Sequence, residues 1–90
     1  MVRRFRPSKD VMYEYVGGEI VLLELATGVY YSLDGVGGRI WNLLVAGRTD
    51  EEIATSLIQE YEVSGEQAAA DVNRILSDLE RHRLVVIDSA

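Results

Sequence analysis

Residues 28–44 read GVYYSLDGVGGRIWNLL, and the fold turns on how this stretch divides. Val29-Tyr30-Tyr31-Ser32-Leu33 is a short run of β-forming residues without a charge. Val36, Ile40, Trp41, Leu43 and Leu44 then recur at helical spacing, with Asp34 where an N-cap is needed. Gly47 stands where a helix ends on a left-handed residue. Gly35, Gly37 and Gly38 fall in the first turn, where each costs about 1 kcal/mol against alanine. A close backbone approach, or a backbone angle closed to other residues, accounts for them. A strand therefore runs directly into a glycine-softened helix.

Before this stretch lie two more strand-like runs. Val11 to Val16 is rich in β-formers, Gly17-Gly18 is a hairpin turn, and Glu19 to Leu25 is the second run. Ala26-Thr27-Gly28 turns the chain into the third. Three runs joined by tight turns make a three-stranded antiparallel meander. Tyr13 and Tyr15 are sheet-face residues on this reading.

After the stretch the pattern is helical. Thr49-Asp50-Glu51-Glu52 is a capping box, followed by an apolar face of Ile53, Leu57, Ile58 and Tyr61. Ser64-Gly65-Glu66-Gln67 is a second box. The longest helix follows, to about Arg83, with Ala68, Ala69, Val72, Ile75, Leu76 and Leu79 on one face. Leu84 to Ile87 is a short β-like run that either pairs with a strand or covers the core. The expected fold is α+β: a three-stranded antiparallel sheet followed by three helices, βββααα. Ile40 and Trp41 read as core.

Ninety residues make one domain with a modest core, and 48% apolar content is ordinary for a globular chain. No apolar run approaches 18 residues, so no membrane span is expected. The N-terminus lacks the apolar region of a secretory signal and cysteine is absent, which fits a cytoplasmic protein. Arg3, Arg4, Arg6 and Lys9 lie in the first nine residues, which read as a flexible basic arm. Residues 10–90 hold five cations against fifteen anions, net −10, a body that repels nucleic acid.

The residues that carry chemistry elsewhere are missing or misplaced. His82 is the lone histidine, and it reads as a cation-friendly residue at a helix C-terminus. One histidine without cysteine builds no nucleophilic triad and no zinc site. Glu51 and Glu52 are neighbours on a helix, about 100° apart, and mark a helix start. Gly35-x-Gly37-Gly38 lacks the lysine of a phosphate loop. The expectation is a protein without catalysis, metal or cofactor. The third strand is of more interest. It has no charge or proline to blunt an edge, so it either takes an added peptide strand or is covered by the tail.

The segments VLLELATGVYYSLDGVGGRIWNLL, GRTDEEIATSL and LERHRLV resemble the PqqD-like proteins, the peptide-binding domains called RiPP recognition elements. The likeness spans roughly residues 10 to 85 and centres on Tyr31 to Leu44. It looks most like the standalone leader-binding protein of lasso-peptide biosynthesis. Asp34 departs from the asparagine frequent in relatives, and both residues cap helices.

The resemblance implies a winged-helix-like fold without catalysis. It also implies that the leader of a ribosomally made precursor lies antiparallel along the third strand, in a cleft against the third helix. The leader is then presented to a leader-processing protease and possibly a cyclase. Mapped onto this chain, Gly28, Val29, Tyr30, Tyr31, Ser32 and Leu33 form the receiving edge. Val72, Ile75, Leu76 and Leu79 form the opposite wall. Asp71, Arg74 and Asp78 flank it, either as partners for leader charges or as a solvated rim. If Leu33 faces the core, Val29 and Tyr31 share its face while Tyr30 and Ser32 point away. In lasso systems of this type the leader offers a tyrosine and a proline three residues apart, so a pocket for the aromatic is expected.

Three other readings compete. A PqqD-type peptide chaperone would serve a radical-SAM enzyme. A winged-helix regulator would need a basic third helix, whereas Glu66, Asp71, Asp78 and Glu80 oppose Arg74, Arg81 and Arg83. A structural subunit would bind a globular partner and no peptide. An unprotected edge also permits dimerisation.

Overall fold

The computed structural model describes residues 2–88. The elements run β1 (Phe5–Pro7), β2 (Val11–Val16), β3 (Glu19–Glu24), β4 (Val29–Leu33), α1 (Gly35–Val45), α2 (Asp50–Glu60), α3 (Gly65–Arg81) and β5 (Val85–Ile87). The α+β class, the antiparallel meander and the three helices match the sequence reading. A second, two-stranded sheet does not appear in that reading.

The meander is ordered β2-β3-β4, so β4 is an edge strand. Gly17 and Gly18 both have positive φ, 56° and 87°, as a two-residue turn matched to strand twist requires. Val16 consequently pairs with Glu19. The next turn is organised by Glu24, which is buried. Its carboxylate accepts from the Thr27 backbone N–H at 2.7 Å and the Thr27 hydroxyl at 3.0 Å. The Thr27 backbone hydrogen bond holds the Glu24 carboxyl below its ordinary pKa. The second strand stops at Glu24, one residue short of expectation, and Leu25 is exposed.

β5 pairs antiparallel with β1, Phe5 opposite Ile87. The basic arm is therefore docked, which corrects the expectation of a flexible segment. Phe5 lies in the core. The Arg3 backbone N–H donates to Asp50 Oδ1 at 2.9 Å and its Nε to Oδ2 at 3.2 Å, while its Nη2 reaches Asn73 Oδ1 at 3.0 Å. Arginine alternating with one phenylalanine carries too weak an apolar signal to read as a strand.

Helix ends follow the chain's own chemistry, with two corrections. Thr49 and Glu52 close the full capping box at α2. Ser64 accepts from the Gln67 backbone N–H, but the Gln67 side chain donates to Asp71 instead of reaching back. Asp34 holds the N-cap position of α1 without a side-chain cap bond. Gly35 takes φ +52°, while a Cβ on Gly37 or Gly38 would sit no closer than 3.5 Å to its neighbours. Only the first of these three glycines answers to a special backbone angle.

α1 ends in a Schellman motif through Gly47, and α3 ends in another. In the second, Leu84 N–H bonds Leu79 C=O and Arg83 N–H bonds Glu80 C=O, with Arg83 in the left-handed region at φ 63°. The core gathers between the meander and the helices, with Ile20, Leu22, Ile40, Trp41, Ile53 and Leu76 fully enclosed. Trp41 meets Tyr13 edge-on at 5.2 Å. Ile58 and Tyr61, expected on the buried face of α2, are exposed.

Candidate functional site

The strand β4 alternates as a half-buried strand must. Tyr31 and Leu33 pack against the core, while Val29, Tyr30 and Ser32 are exposed. Because β5 is taken by β1, no described strand covers the outer edge of β4. Its backbone N–H and C=O groups on that side are free for a ladder. Gly28, at φ 74°, is the last residue of the turn that leads into the strand.

Opposite this edge lies α3. Two stripes share that helix. Ala68, Val72 and Leu76 recur at i, i+4 and i+8 and are buried in the core. Ile75, Asp78, Leu79 and His82 lie one step round and face β4. Between the two elements is an open cleft of about 300 Å³. Its strand side is Tyr31, Ser32 and Leu33, its helix side is Arg74, Ile75, Asp78, Leu79 and His82, and Leu84 closes it.

The expected wall is thus divided. Ile75 and Leu79 line the cleft, Leu79 from a core position only 4% exposed; Val72 and Leu76, 2% and 0% exposed, lie in the core outside the lining. Asp71 also lies outside the lining. Its carboxylate accepts from Gln67 and faces Arg74 at 3.5 Å. Asp78 lines the cleft and pairs with Arg81. Gly28 ends the preceding turn and Val29 and Tyr30 lie along the strand, and none of the three lines the cleft.

Sequence reasoning missed His82 and Leu84. His82 is the C-cap of α3, and its ring lies 5.0 Å from that of Tyr31. Its Nδ1 is 2.8 Å from the Asp78 carbonyl oxygen, a distance at which a protonated Nδ1 donates. The left-handed turn at Arg83 then carries Leu84 back beneath the cleft. The signal was present as the seven-residue step from Ile75 to His82, which keeps one helix face.

The cleft has the makings of an aromatic-and-aliphatic slot beside an open strand edge, with one cation and one anion at its rim. Among the described residues no cluster of acids and histidine suits a metal ion. Among the described residues no helix is long and apolar enough to cross a membrane.

A family profile described as coenzyme PQQ synthesis protein D (PqqD) matches residues 19–85, from β3 to β5. The chain belongs to the PqqD family. The resemblance read from Tyr31 to Leu44 is thereby met. Among solved structures, one described as TbiB1 in complex with the TbiA(beta) leader peptide is 35% identical, with TM-score 0.85. The match covers 94% of this chain and 96% of that one. A second, described as lasso peptide synthetase B1 complexed with the leader peptide, has TM-score 0.87 at 24% identity, covering 92% and 98%. The latter is a likeness of fold. Comparison with curated proteins gives no match.

Proposed function

We propose that this PqqD-family chain is a single leader-binding domain, winged-helix-like in form, that works without catalysing a reaction. It binds the leader of a ribosomally made precursor by strand addition to β4. The leader runs antiparallel to that strand and sets alternate side chains into the cleft against α3. It is delivered to a leader-processing protease, and to a cyclase, in lasso-peptide biosynthesis in the cytoplasm. One observation carries this reading. The uncharged free edge of β4 borders an open cleft, in a chain 35% identical to a protein solved with a leader peptide.

The edge supplies main-chain bonds and the cleft supplies side-chain selection. Tyr31, Ile75, Leu79 and His82 fit an aromatic or proline side chain of the leader. Arg74 and Asp78 select charge at its flanks. The family match alone also fits a peptide chaperone serving a radical-SAM enzyme; the 35% identity with TbiB1, solved with a leader peptide, supports the leader-binding reading. A DNA-reading role lacks support, because α3 is not basic: Glu66, Asp71, Asp78 and Glu80 stand against Arg74 and Arg81.

Calorimetric titration of a synthetic leader, taken from the nearest short open reading frame, tests the proposal. The expected dissociation constant is about 1 μM or below, near −8 kcal/mol. Ile75→Asp places a charge in the apolar slot and weakens binding at least about tenfold, roughly 1.4 kcal/mol, with an unchanged circular dichroism spectrum. Absence of binding at leader concentrations two orders of magnitude higher sinks the reading.

A further inference from the structure

His82 is a cleft residue whose hydrogen-bonding capacity the fold uses only in half. It caps α3, and its backbone N–H donates to the Asp78 carbonyl oxygen at 3.1 Å. Its ring Nδ1 lies 2.8 Å from the same oxygen. A carbonyl oxygen has two lone pairs and only accepts, so Nδ1 carries a proton. The neutral ring is thereby held as the Nδ1–H tautomer, and its Nε2 is a bare acceptor. With Nδ1 turned to the helix backbone, Nε2 is turned away from it. No hydrogen bond from the described residues engages Nε2.

The surroundings of that nitrogen are largely apolar. The ring lines the cleft with Ile75, Leu79 and Leu84, and stands 5.0 Å from the Tyr31 ring at 55°. The charged groups of the lining, Arg74 and Asp78, pair with Asp71 and Arg81 of their own helix. The Ser32 hydroxyl donates to Glu19 at 3.0 Å. A neutral acceptor thus stands beside an apolar slot.

A leader side chain that fills the slot covers Nε2 and removes its water. A phenylalanine leaves the nitrogen unpaired, and an unpaired polar group in a filled site opposes binding. The phenol of tyrosine or the indole of tryptophan offers the slot an apolar ring and offers Nε2 a donor. A site that pairs such a donor rejects the analogue without it, because its own polar group is then stranded. We propose that His82 is a specificity-determining residue: its Nε2 selects a tyrosine or tryptophan over phenylalanine at the leader position that enters the cleft. This role rests on the leader-binding reading above and assigns one residue its part in it.

The chain has a single histidine, so its imidazole nitrogens are read without overlap. Long-range proton–nitrogen correlation spectra of the ¹⁵N-labelled protein, at mildly alkaline pH, should show the Nδ1–H tautomer. Saturating synthetic leader should shift the Nε2 resonance while Nδ1 stays protonated. Calorimetry then uses leaders in which each tyrosine is replaced by phenylalanine, and each tryptophan by its benzothienyl analogue, which lacks the N–H. One replacement should weaken wild-type binding at least about fivefold. The same replacement should cost His82→Phe, which keeps a ring and loses the acceptor, less than about twofold. An Nε2–H tautomer in the free protein overturns the assignment. So does an Nε2 resonance that bound leader leaves unmoved, a bound leader without tyrosine or tryptophan, or a set of replacements that costs both proteins equally. Should His82→Phe fail to fold, the wild-type spectra decide alone. Failure of the wild type to bind leader at all removes the leader-binding reading as well, which separates the two failures.

Discussion

Arg83 sits at φ 63°, where an L residue pays a steric cost of about 1–2 kcal/mol. The Schellman turn at the end of α3 demands that angle, and glycine meets it without a clash. Glycine's freedom in the unfolded chain offsets part of the gain. Arg83→Gly should therefore raise stability by about 0.5–1 kcal/mol, read from urea denaturation, with leader affinity unchanged. Gly37 presents the opposite case. A Cβ there would meet Leu33 Cδ2 at 3.5 Å, ordinary contact, and its φ is not positive. Gly37→Ala should add up to about 1 kcal/mol through helix propensity alone. Gly35, at φ +52°, should resist the same change. The sequence offered three equivalent glycines in one turn; only the backbone angles separate them.

Among the elements, the β1–β5 ribbon is the least visible in the sequence and ties the two ends of the chain together. Phe5 anchors it in the core. Phe5→Ala should cost about 3–4 kcal/mol, a large share of a small domain's stability, seen as a lowered urea midpoint. Capping networks make the helices and turns sensitive to acid. The Thr49 backbone hydrogen bond holds the Glu52 carboxyl below its ordinary pKa, and the Arg39 guanidinium does the same for Glu60. At Asp50 burial pushes upward, but hydrogen bonds from Arg3 and Glu51 outweigh it and the net direction is down. With folded values below unfolded ones, the stabilisation is fully present above the ordinary carboxylate range. It is lost as pH falls through the folded values. Thermal melts should show a midpoint flat near neutrality that drops below about pH 4–5, and Glu52→Gln should flatten that drop.

At the scale of the whole molecule, the capture of β5 by β1 matters most. Had β5 paired with β4, the edge would be closed and the cleft would have no open strand beside it. Opening the core should act differently from altering the cleft. Leu76→Ala, in the enclosed stripe of α3, should destabilise the fold by about 2–5 kcal/mol while the folded fraction retains leader affinity. Ile75, the next residue round, should show the reverse pattern. Paired denaturation and titration of the two variants distinguish a core role from a binding role.

Local pattern sufficed for the meander, its glycine hairpin, the full capping box at α2 and the apolar face of α3. Each rests on neighbours within a few residues, where periodicity and capping chemistry act directly. The uncharged run Val29 to Leu33 was likewise legible as an edge needing explanation. Three things required the folded chain. The pairing of Phe5–Pro7 with Val85–Ile87 joins opposite ends of the sequence, and no local pattern encodes it. The division of α3 into a core stripe at Val72 and Leu76 and a cleft side at Ile75, with the buried Leu79 shared between them, depends on helix rotation against the sheet. The place of His82 beside Tyr31 depends on where α3 ends in space. Sequence spacing determines which residues share a face, while packing alone determines what that face meets.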